Sequence, residues 1–348
     1  MISPEFTRKT TTVRLRGAAG PGGAPGLGLG EDVTYDPEEH APARAAVIDL
    51  AGSWTVDSFS RRLESAELFP HGEPAQAAYR NYRRWAFESA ALDLALIQAG
   101  QSLAERLARE PRPLRFVSST RATAVADWLE LYPALRFKLD ARPDWSDGFL
   151  ATLASRGNVD VVDLKGAYHD TPVDNPADAD LYRRVAEALP RSFIEDPALT
   201  PETDAALEPY RDRITWDAPI HAWSGVEALP FAPRCLNSKP SRFGSLERLF
   251  EFYERCAEHG IALYGGGQFE LGVGRGQIQL LAALFHADGP NDVAPGGYNA
   301  SSPLPGLPTS PLDPAPAPIG FRRREERVAT VGHGALGGDG TGPGDAGA

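Results

Sequence analysis

Three carboxylates occupy equivalent places in this sequence. Asp163, Glu195 and Asp217 each come at the end of a short apolar run that predicts a β-strand. If these strands are parallel neighbours, their carboxyl ends meet at one edge and the three carboxylates converge there. Charges of one sign repel each other at such distances unless a cation lies between them, and oxygen ligands favour Mg²⁺ or Mn²⁺. One such acid would be an ordinary turn residue, but their repetition predicts a metal site.

Lysines accompany these carboxylates at the predicted strand ends. Residues two apart on a strand share a face, so Lys239, for example, points the same way as Asn237. A partly desolvated lysine near a cation can act as a base at neutral pH, and beside a metal that stabilises an enediolate it can remove the proton next to a carboxylate. We expect Lys239 to be the base. The candidates for the opposite side of the substrate are Lys138, Asp140 and Lys165.

The elements that must position these residues follow Pro113. Short apolar runs alternate there with amphipathic stretches, which is typical of a (β/α) barrel and not of a sandwich. The predicted strands are 114–118, 135–140, 159–164, 192–195, 214–217, 235–239 and 261–264, with a weak eighth at 291–294. The predicted helices are 122–132, 147–156, 179–189 and 246–259. The fold class is therefore α/β, with a TIM-type barrel of seven or eight units whose strand ends open at one mouth.

The regions outside the barrel differ in composition. Residues 11–16 alternate in polarity like a strand, and the Gly- and Pro-rich segment 17–30 predicts a mobile loop to a second strand. Residues 75–108 lack proline and predict helix, and the Pro-rich stretch 303–318 predicts an extended wrap. We predict three regions: an N-terminal α+β capping domain at 1–112, a barrel catalytic domain at 113–326 and a disordered tail at 327–348.

The overall composition excludes several classes of protein. The chain has 348 residues and a formal net charge of −12, which makes nucleic acid a poor partner. Cys235 and Cys256 form no CxxC pair, which fits a reducing compartment without disulfides. No apolar run reaches the roughly 18 residues that a membrane span needs, and the N-terminus has no apolar signal segment. We therefore expect a cytoplasmic protein without membrane contact.

Several motifs resemble those of the enolase superfamily, in its muconate-lactonising and o-succinylbenzoate synthase branch. They are FIEDP at 193–197, NSKPSRFG at 237–244, GGQFELGVGR at 266–275 and NDVAP at 291–295. The segment AFESAALDLA at 86–95 resembles the long helix of the family's capping domain. The resemblance covers about residues 11–326.

The resemblance implies an Mg²⁺-dependent enzyme that abstracts the α-proton of a small-molecule carboxylate. It implies that Asp163, Glu195 and Asp217 hold Mg²⁺ (or Mn²⁺) and that Lys239 is a base or a cation that stabilises the enolate. We take Asn237 and Glu270 as candidates for substrate binding, with a purely structural role for Glu270 left open. We also expect a homo-oligomer.

Two departures from the family pattern affect this prediction. The family branch carries Lys-x-Lys on the second strand, whereas this chain has Lys138-Leu139-Asp140. Its third strand carries Asp-x-Asn, whereas this chain has Asp163-Leu164-Lys165, so one lysine has moved to a neighbouring strand. In an alternative register Asp140 would be the metal ligand. Two complete βα units would then separate it from Glu195, which disfavours that register.

The reaction stays open at this level. The leading prediction is a lyase or isomerase that works like o-succinylbenzoate synthase or a cycloisomerase. An N-acylamino-acid or dipeptide racemase is an alternative, as is an acid-sugar dehydratase. A hypothesis of another class is a non-catalytic relative that binds a metal ion and a carboxylate.

Overall fold

The structure, a computed structural model, describes residues 8–19, 25–168 and 174–324. Its N-terminal part is a two-stranded antiparallel sheet packed against one long helix. The elements are β1 (Thr11–Ala19), β2 (Pro25–Asp32), α1 (His40–Ala45), α2 (Val56–Glu64), α3 (Ala78–Ala99) and α4 (Leu103–Leu107). A separate hydrophobic cluster, which includes Val33, Phe59 and Tyr82, holds this part together.

Strand β2 lies very close to α3 because glycine occupies alternate positions of the strand. A Cβ atom on Gly28 would lie 2.0 Å from the carbonyl oxygen of Ala90, and one on Gly30 would lie 2.0 Å from that of Ala86. The prediction that 17–30 is a mobile loop was wrong, since most of this segment is strand and residues 20–24 lie outside the described residues. The physical reason is that glycine removes side-chain bulk here, where backbone must approach backbone.

The predicted helical stretch 75–108 forms two helices. Gly100 ends α3 in the left-handed conformation, with φ of 67°, and its N–H donates to the last turn of the helix. Ser102 then begins α4 with a capping box, because its side chain accepts from the N–H of Glu105 while the Glu105 carboxylate accepts from the N–H of Ser102.

After Pro113 strands and helices alternate around one large core. The elements are β3 (Ser118–Thr120), α5 (Val125–Leu131), β4 (Phe137–Asp140), α6 (Asp147–Arg156), β5 (Val159–Asp163), α7 (Ala179–Ala188), β6 (Phe193–Glu195), α8 (Pro201–Leu207), β7 (Ile214–Thr215), α9 (Trp223–Glu227), β8 (Cys235–Ser238), α10 (Pro240–Phe243), α11 (Leu246–Glu258), β9 (Ala262–Gly265) and α12 (Val273–Phe285). Of the expected strands, 114–118 differs most, because only its last residue belongs to β3.

The strands close into a barrel. β3 to β7 pair in sequence order, all parallel, and β8 pairs with β9 in parallel. The N–H of Asn237 donates to the carbonyl oxygen of Trp216 over 3.0 Å, which joins β7 to β8. The N–H of Asp292 donates to Gly265 over 2.7 Å, and the N–H of Val117 donates to Asn291 over 2.9 Å. The predicted weak eighth strand at 291–294 is thus reduced to two isolated β-bridges, which close the barrel between β9 and β3.

The register of the parallel strands brings their carboxyl ends to one level. Asp140 lies opposite Asp163, Asp163 opposite Glu195, and Glu195 opposite Thr215. Parallel pairing therefore gathers the polar residues that follow these strands at one mouth of the barrel.

The segment after the barrel runs back along it to the N-terminal part. Leu312 exchanges both backbone hydrogen bonds with Leu114, and the N–H of Phe321 donates to Asp93 of α3 over 2.8 Å. The predicted disordered tail at 327–348 lies outside the described residues. Among the described helices, none has both the length and the apolar composition needed to span a membrane.

Candidate active site

The barrel mouth holds a cluster of buried carboxylates. Asp163 ends β5, Glu195 ends β6, and Asp196 follows directly; all three are fully buried, and one oxygen from each lies within 4.8 Å of the others. The sequence prediction named the first two. Asp196 was part of the quoted FIEDP motif but was not predicted as a site residue, because its neighbours in the sequence do not distinguish it from an ordinary turn residue after a strand. Burial, together with Asp217 and Asp163, raises the pKa of the Asp196 carboxyl to about 6.

Asp217, the third predicted metal ligand, lies beside Asp196 and faces two cations. Its Oδ2 lies 2.7 Å from the Lys239 Nζ and 3.2 Å from an Arg242 nitrogen, and it accepts from the Tyr168 hydroxyl over 3.0 Å. Burial alone would raise the pKa of this carboxyl, but Arg242 and Lys239 outweigh it and hold the pKa far below its usual range. Its Oδ1 is buried and accepts no hydrogen bond from any residue that the structure describes.

Lys138 lies inside the barrel between two carboxylates. Its Nζ lies 2.5 Å from the Glu195 Oε1 and 3.5 Å from the Asp163 Oδ2. Burial lowers the pKa of this ammonium, but Glu195 and Asp163 outweigh that effect and leave the pKa well above its ordinary value. Burial and the neighbouring acids raise the pKa of the Glu195 carboxyl. Lys138 is therefore a buried ion-pair partner of two carboxylates in the acidic cluster.

Lys165 reaches the same cluster from the loop after β5. Its backbone is left-handed, with φ of 56°, and its N–H donates to the Asp163 Oδ1 over 3.0 Å while its ammonium donates to Oδ2 of the same carboxylate. The Nζ also lies 3.3 Å from the Asp140 Oδ1 on the neighbouring strand. Two of the predicted catalytic residues, Asp140 and Lys165, thus form one ion pair.

Backbone strain marks the same mouth. Lys165, Asp196 and Phe269 have positive φ values, of 56°, 49° and 63°, and all three lie in loops that follow barrel strands. A non-glycine residue in this region costs on the order of 1–3 kcal/mol, and such strain concentrates at functional sites. The sequence did not predict these positive φ values, because the tertiary contacts of each loop determine them.

Asn237 and Glu270, the predicted substrate-binding residues, lie in different surroundings. Asn237 is 1% exposed, and the described part of the chain offers neither of its side-chain polar atoms a hydrogen-bond partner. A Cβ on Gly266 would lie 2.9 Å from its Oδ1 and 2.7 Å from the Lys239 Cε, so the two side chains meet at this glycine. Glu270 accepts from the N–H of Gln268 over 2.8 Å at Oε1, and its Oε2 is buried without a hydrogen-bond partner among the described residues.

The N-terminal part contributes polar groups to the same region. The Tyr35 hydroxyl donates to the Gln268 side chain over 2.9 Å, and Gln268 donates to the Tyr82 hydroxyl over 3.0 Å. The Asn81 side chain of α3 donates to the carbonyl oxygen of Arg242 over 2.8 Å. From the sequence, Gln268 was quoted only within the 266–275 motif, and the other three side chains were not identified, because they come from parts of the chain far from the barrel strands.

One compositional signal could have identified the lysines more sharply. The chain has 35 basic residues, and only four of them are lysines. Three of the four, Lys138, Lys165 and Lys239, lie at the barrel mouth, while Lys9 is exposed. Nearly all other basic residues of the chain are arginines, which indicates that the barrel mouth requires the compact, titratable amine of lysine.

The residues present fit a hard divalent cation. The converging donors are carboxylate oxygens of Asp163, Glu195 and Asp196, with Asp217 next to Asp196, and carboxylate oxygens are ligands that Mg²⁺ and Mn²⁺ prefer. The Asp217 Oδ1 is buried without a hydrogen-bond partner in the described part of the chain, and such an atom costs free energy unless a cation or a donor meets it. The Asp196 carboxylate accepts from the N–H groups of Asp217 and Ala218, at 2.9–3.2 Å.

A family model matches more than half of this chain. The model is described as the C-terminal domain of a domain of unknown function (DUF8230) and matches residues 110–300, and the corresponding N-terminal model matches residues 1–106. The chain belongs to the DUF8230 family. Among curated proteins, the o-succinylbenzoate synthase of Geobacillus kaustophilus is 27% identical to this DUF8230 protein over 235 residues, 62% of this chain and 59% of the relative. The chain thus spans less than two thirds of that relative's length.

Solved structures show the fold of this DUF8230 protein. An enolase-superfamily member from Listeria innocua has a TM-score of 0.60 at 17% identity, covering 84% of this chain and 86% of that one. The dipeptide epimerase from Methylococcus capsulatus, solved with a Mg ion, has a TM-score of 0.59 at 19% identity, covering 84% and 91%. The predicted fold is confirmed: the chain has the enolase-superfamily architecture of a capping domain and a (β/α) barrel.

Proposed function

We propose that this chain is a divalent-metal-dependent lyase or isomerase that removes the proton next to the carboxylate of a small-molecule substrate. The reaction would resemble that of o-succinylbenzoate synthase or a cycloisomerase. One observation carries the proposal: Lys165 and Lys239 lie at the third and sixth strand ends, each against a buried carboxylate. The two strands between them end in the acids Glu195, Asp196 and Asp217.

Asp163, Glu195 and Asp217 are the proposed metal ligands, with the buried Oδ1 of Asp217, which none of the described residues contacts by a hydrogen bond, as the third donor. A bound Mg²⁺ would neutralise the substrate carboxylate and stabilise the negative charge that develops when the α-proton leaves. Asp196 has a positioning role in this proposal. Its carboxylate accepts from the N–H groups of Asp217 and Ala218 and so holds the end of β7 beside the other two strands.

Lys239 is the proposed proton acceptor. Its Nζ lies 2.7 Å from the Asp217 Oδ2, and the neutral amine form of Lys239 would take the proton. Asn237 projects from the same face of β8, and its amide, which has no hydrogen-bond partner among the described residues, is available for a substrate oxygen. Gly266 leaves the space in which both side chains meet. Together these residues can bind a polar group of the substrate and hold a lysine next to it.

Lys165 is the proposed cation on the opposite side. Its ion pair with Asp140 replaces the second-strand lysine that the family pattern would have there. A lysine on each side favours a second candidate function, racemisation or epimerisation, because that reaction needs an acid and a base on opposite faces. An elimination or cycloisomerisation needs one base, and Lys165 would then act only through its charge.

Hydrogen–deuterium exchange tests the proposal without knowledge of the product. The protein would be incubated with Mg²⁺ and a panel of small carboxylates, acylamino acids and dipeptides in D₂O, and α-proton loss followed by NMR. We expect exchange for at least one compound, and a loss of roughly 10²–10⁴-fold in Lys239→Ala. The matched control is Lys9→Ala, which removes the exposed lysine and should exchange at the normal rate. Normal exchange in Lys239→Ala would contradict the proposed base.

Lys165→Ala separates the candidate reactions. If the enzyme racemises, this variant should exchange the α-proton of only one enantiomer, because Lys239 still serves its own face. If it eliminates or cyclises, turnover should fall while exchange catalysed by Lys239 continues. Binding of carboxylates and Mg²⁺ without any exchange would support the non-catalytic hypothesis.

A further inference from the structure

Tyr264 is a fully buried tyrosine on β9, the seventh barrel strand. Its hydroxyl donates to the Glu195 Oε2 over 2.5 Å. Its ring lies nearly parallel to that of Phe193, with 6.0 Å between the ring centroids and 10° between the planes. The proposed proton transfer uses neither the ring nor the hydroxyl.

The Glu195 carboxylate is held at both of its oxygens. Oε1 accepts from the Lys138 ammonium over 2.5 Å, and Oε2 accepts from Tyr264, so the two donors come from different strands of the barrel. The last torsion of a glutamate side chain is broad and weakly restrained by itself, and these two bonds restrain it. Each carboxylate oxygen has two lone pairs, so each keeps one for another partner.

We propose that Tyr264 is a positioning residue of the metal site, which fixes the Glu195 carboxylate in the orientation that faces Asp163. The inference rests on the proposed function, because it assigns Glu195 as a metal ligand. The proposed role also explains why a neutral hydroxyl, and not a second cation, contacts the Glu195 Oε2. The positive charge of Lys138 repels a metal ion, whereas the phenol of Tyr264 orients the carboxylate and adds no charge to the site.

The expected effect is on metal affinity. Groups that orient a metal ligand by hydrogen bonding typically contribute 10–100-fold to affinity when they are removed. Tyr264→Phe deletes only the hydroxyl, leaves the ring on Phe193, and should weaken Mn²⁺ binding by roughly that factor in isothermal titration calorimetry. The electron paramagnetic resonance spectrum of bound Mn²⁺ should change as well, because the ligand carboxylate gains freedom.

Tyr253→Phe is the matched control. Tyr253 is also buried, its ring stacks on Phe285 at 4.2 Å, and its hydroxyl contacts Ser238 at 3.1 Å with no carboxylate partner among the described residues. Its removal should leave the Mn²⁺ affinity and spectrum unchanged. Phe193→Leu is a second variant, which loosens the Tyr264 ring without removing a polar group and should weaken Mn²⁺ binding to a smaller degree.

Circular dichroism would establish that the compared variants are folded. Wild-type affinity in folded Tyr264→Phe would overturn the inference, as would an equal loss in Tyr253→Phe. Should Tyr264→Phe not fold, unchanged affinity and spectrum in Phe193→Leu would overturn it. Failure of the wild-type protein to bind Mn²⁺ or Mg²⁺ would instead refute the metal site of the proposed function, so the two failures are distinguishable.

Discussion

Glu31 joins the N-terminal part to the barrel, and its replacement tests how the two are held together. This residue of β2 is 1% exposed. Its carboxylate accepts from the N–H groups of Leu271 over 2.7 Å, of Gly272 over 3.0 Å to each oxygen, and of Gly274 over 2.8 Å. Gly272 is the N-cap residue of α12 and Gly274 lies in its first turn, where the N–H groups of a helix have no partner within the helix.

The substitution Glu31→Gln preserves the shape of the side chain but replaces one acceptor oxygen by an amide donor. That donor would face the N–H groups of Gly272 and Gly274, so two hydrogen bonds to a charged acceptor are lost. At about 1.5–3 kcal/mol each, the free energy of unfolding should fall by about 3–6 kcal/mol.

Urea unfolding followed by tryptophan fluorescence measures this loss. The control is Glu105→Gln, which makes the same change in the exposed capping box of α4, where Ser102 is the one described residue from which the carboxylate accepts. We expect a much smaller loss there, because water replaces the lost bonds. Equal losses in the two variants would refute the reasoning that Glu31 holds the barrel helix across the boundary between the two parts.

Three further predictions concern other contacts. In the same urea assay, Gly28→Ala should destabilise the protein by about 3 kcal/mol or more, since the new Cβ would lie 2.0 Å from the helix backbone. The control Gly148→Ala changes a helical glycine whose Cβ would have nothing within 4 Å, and it should be neutral or stabilising by up to about 1 kcal/mol. Burial lowers the pKa of His286 from 6.5 to about 4, so the unfolded chain binds the extra proton in that window. The free energy of unfolding should therefore fall by about 3 kcal/mol as the pH drops from about 6.5 to about 4, and His286→Gln should abolish that part of the pH dependence; an unchanged profile would contradict it. Asp217→Asn should weaken Mg²⁺ binding in calorimetry more than Asp196→Asn, and the reverse order would make Asp196 the third ligand.

Local chemistry explains the elements that the sequence predicted well. Helix α6 has the predicted bounds because Ser146 caps its first turn and Gly157 ends it in the left-handed conformation. Glu195 lies at the predicted strand end for a similar reason, since an apolar run followed by Asp-Pro cannot continue as a buried strand. The prediction of a mobile loop at 17–30 was wrong because a glycine-rich sequence is typical of loops. In this protein the glycines allow contact with a helix that lies some sixty residues further along the chain.

The sequence by itself determined the alternation of strands and helices, the positions of the acids and lysines at strand ends, and the resemblance to a barrel family. These features depend on hydrophobic periodicity and on residues a few positions apart, so a short segment of the sequence is enough to predict them. Only the tertiary structure decided the partners: Lys165 with Asp140, Asp217 with Lys239 and Arg242, and Tyr264 with Glu195. Barrel closure and strand register set those contacts, and both arise from interactions between residues far apart in the chain.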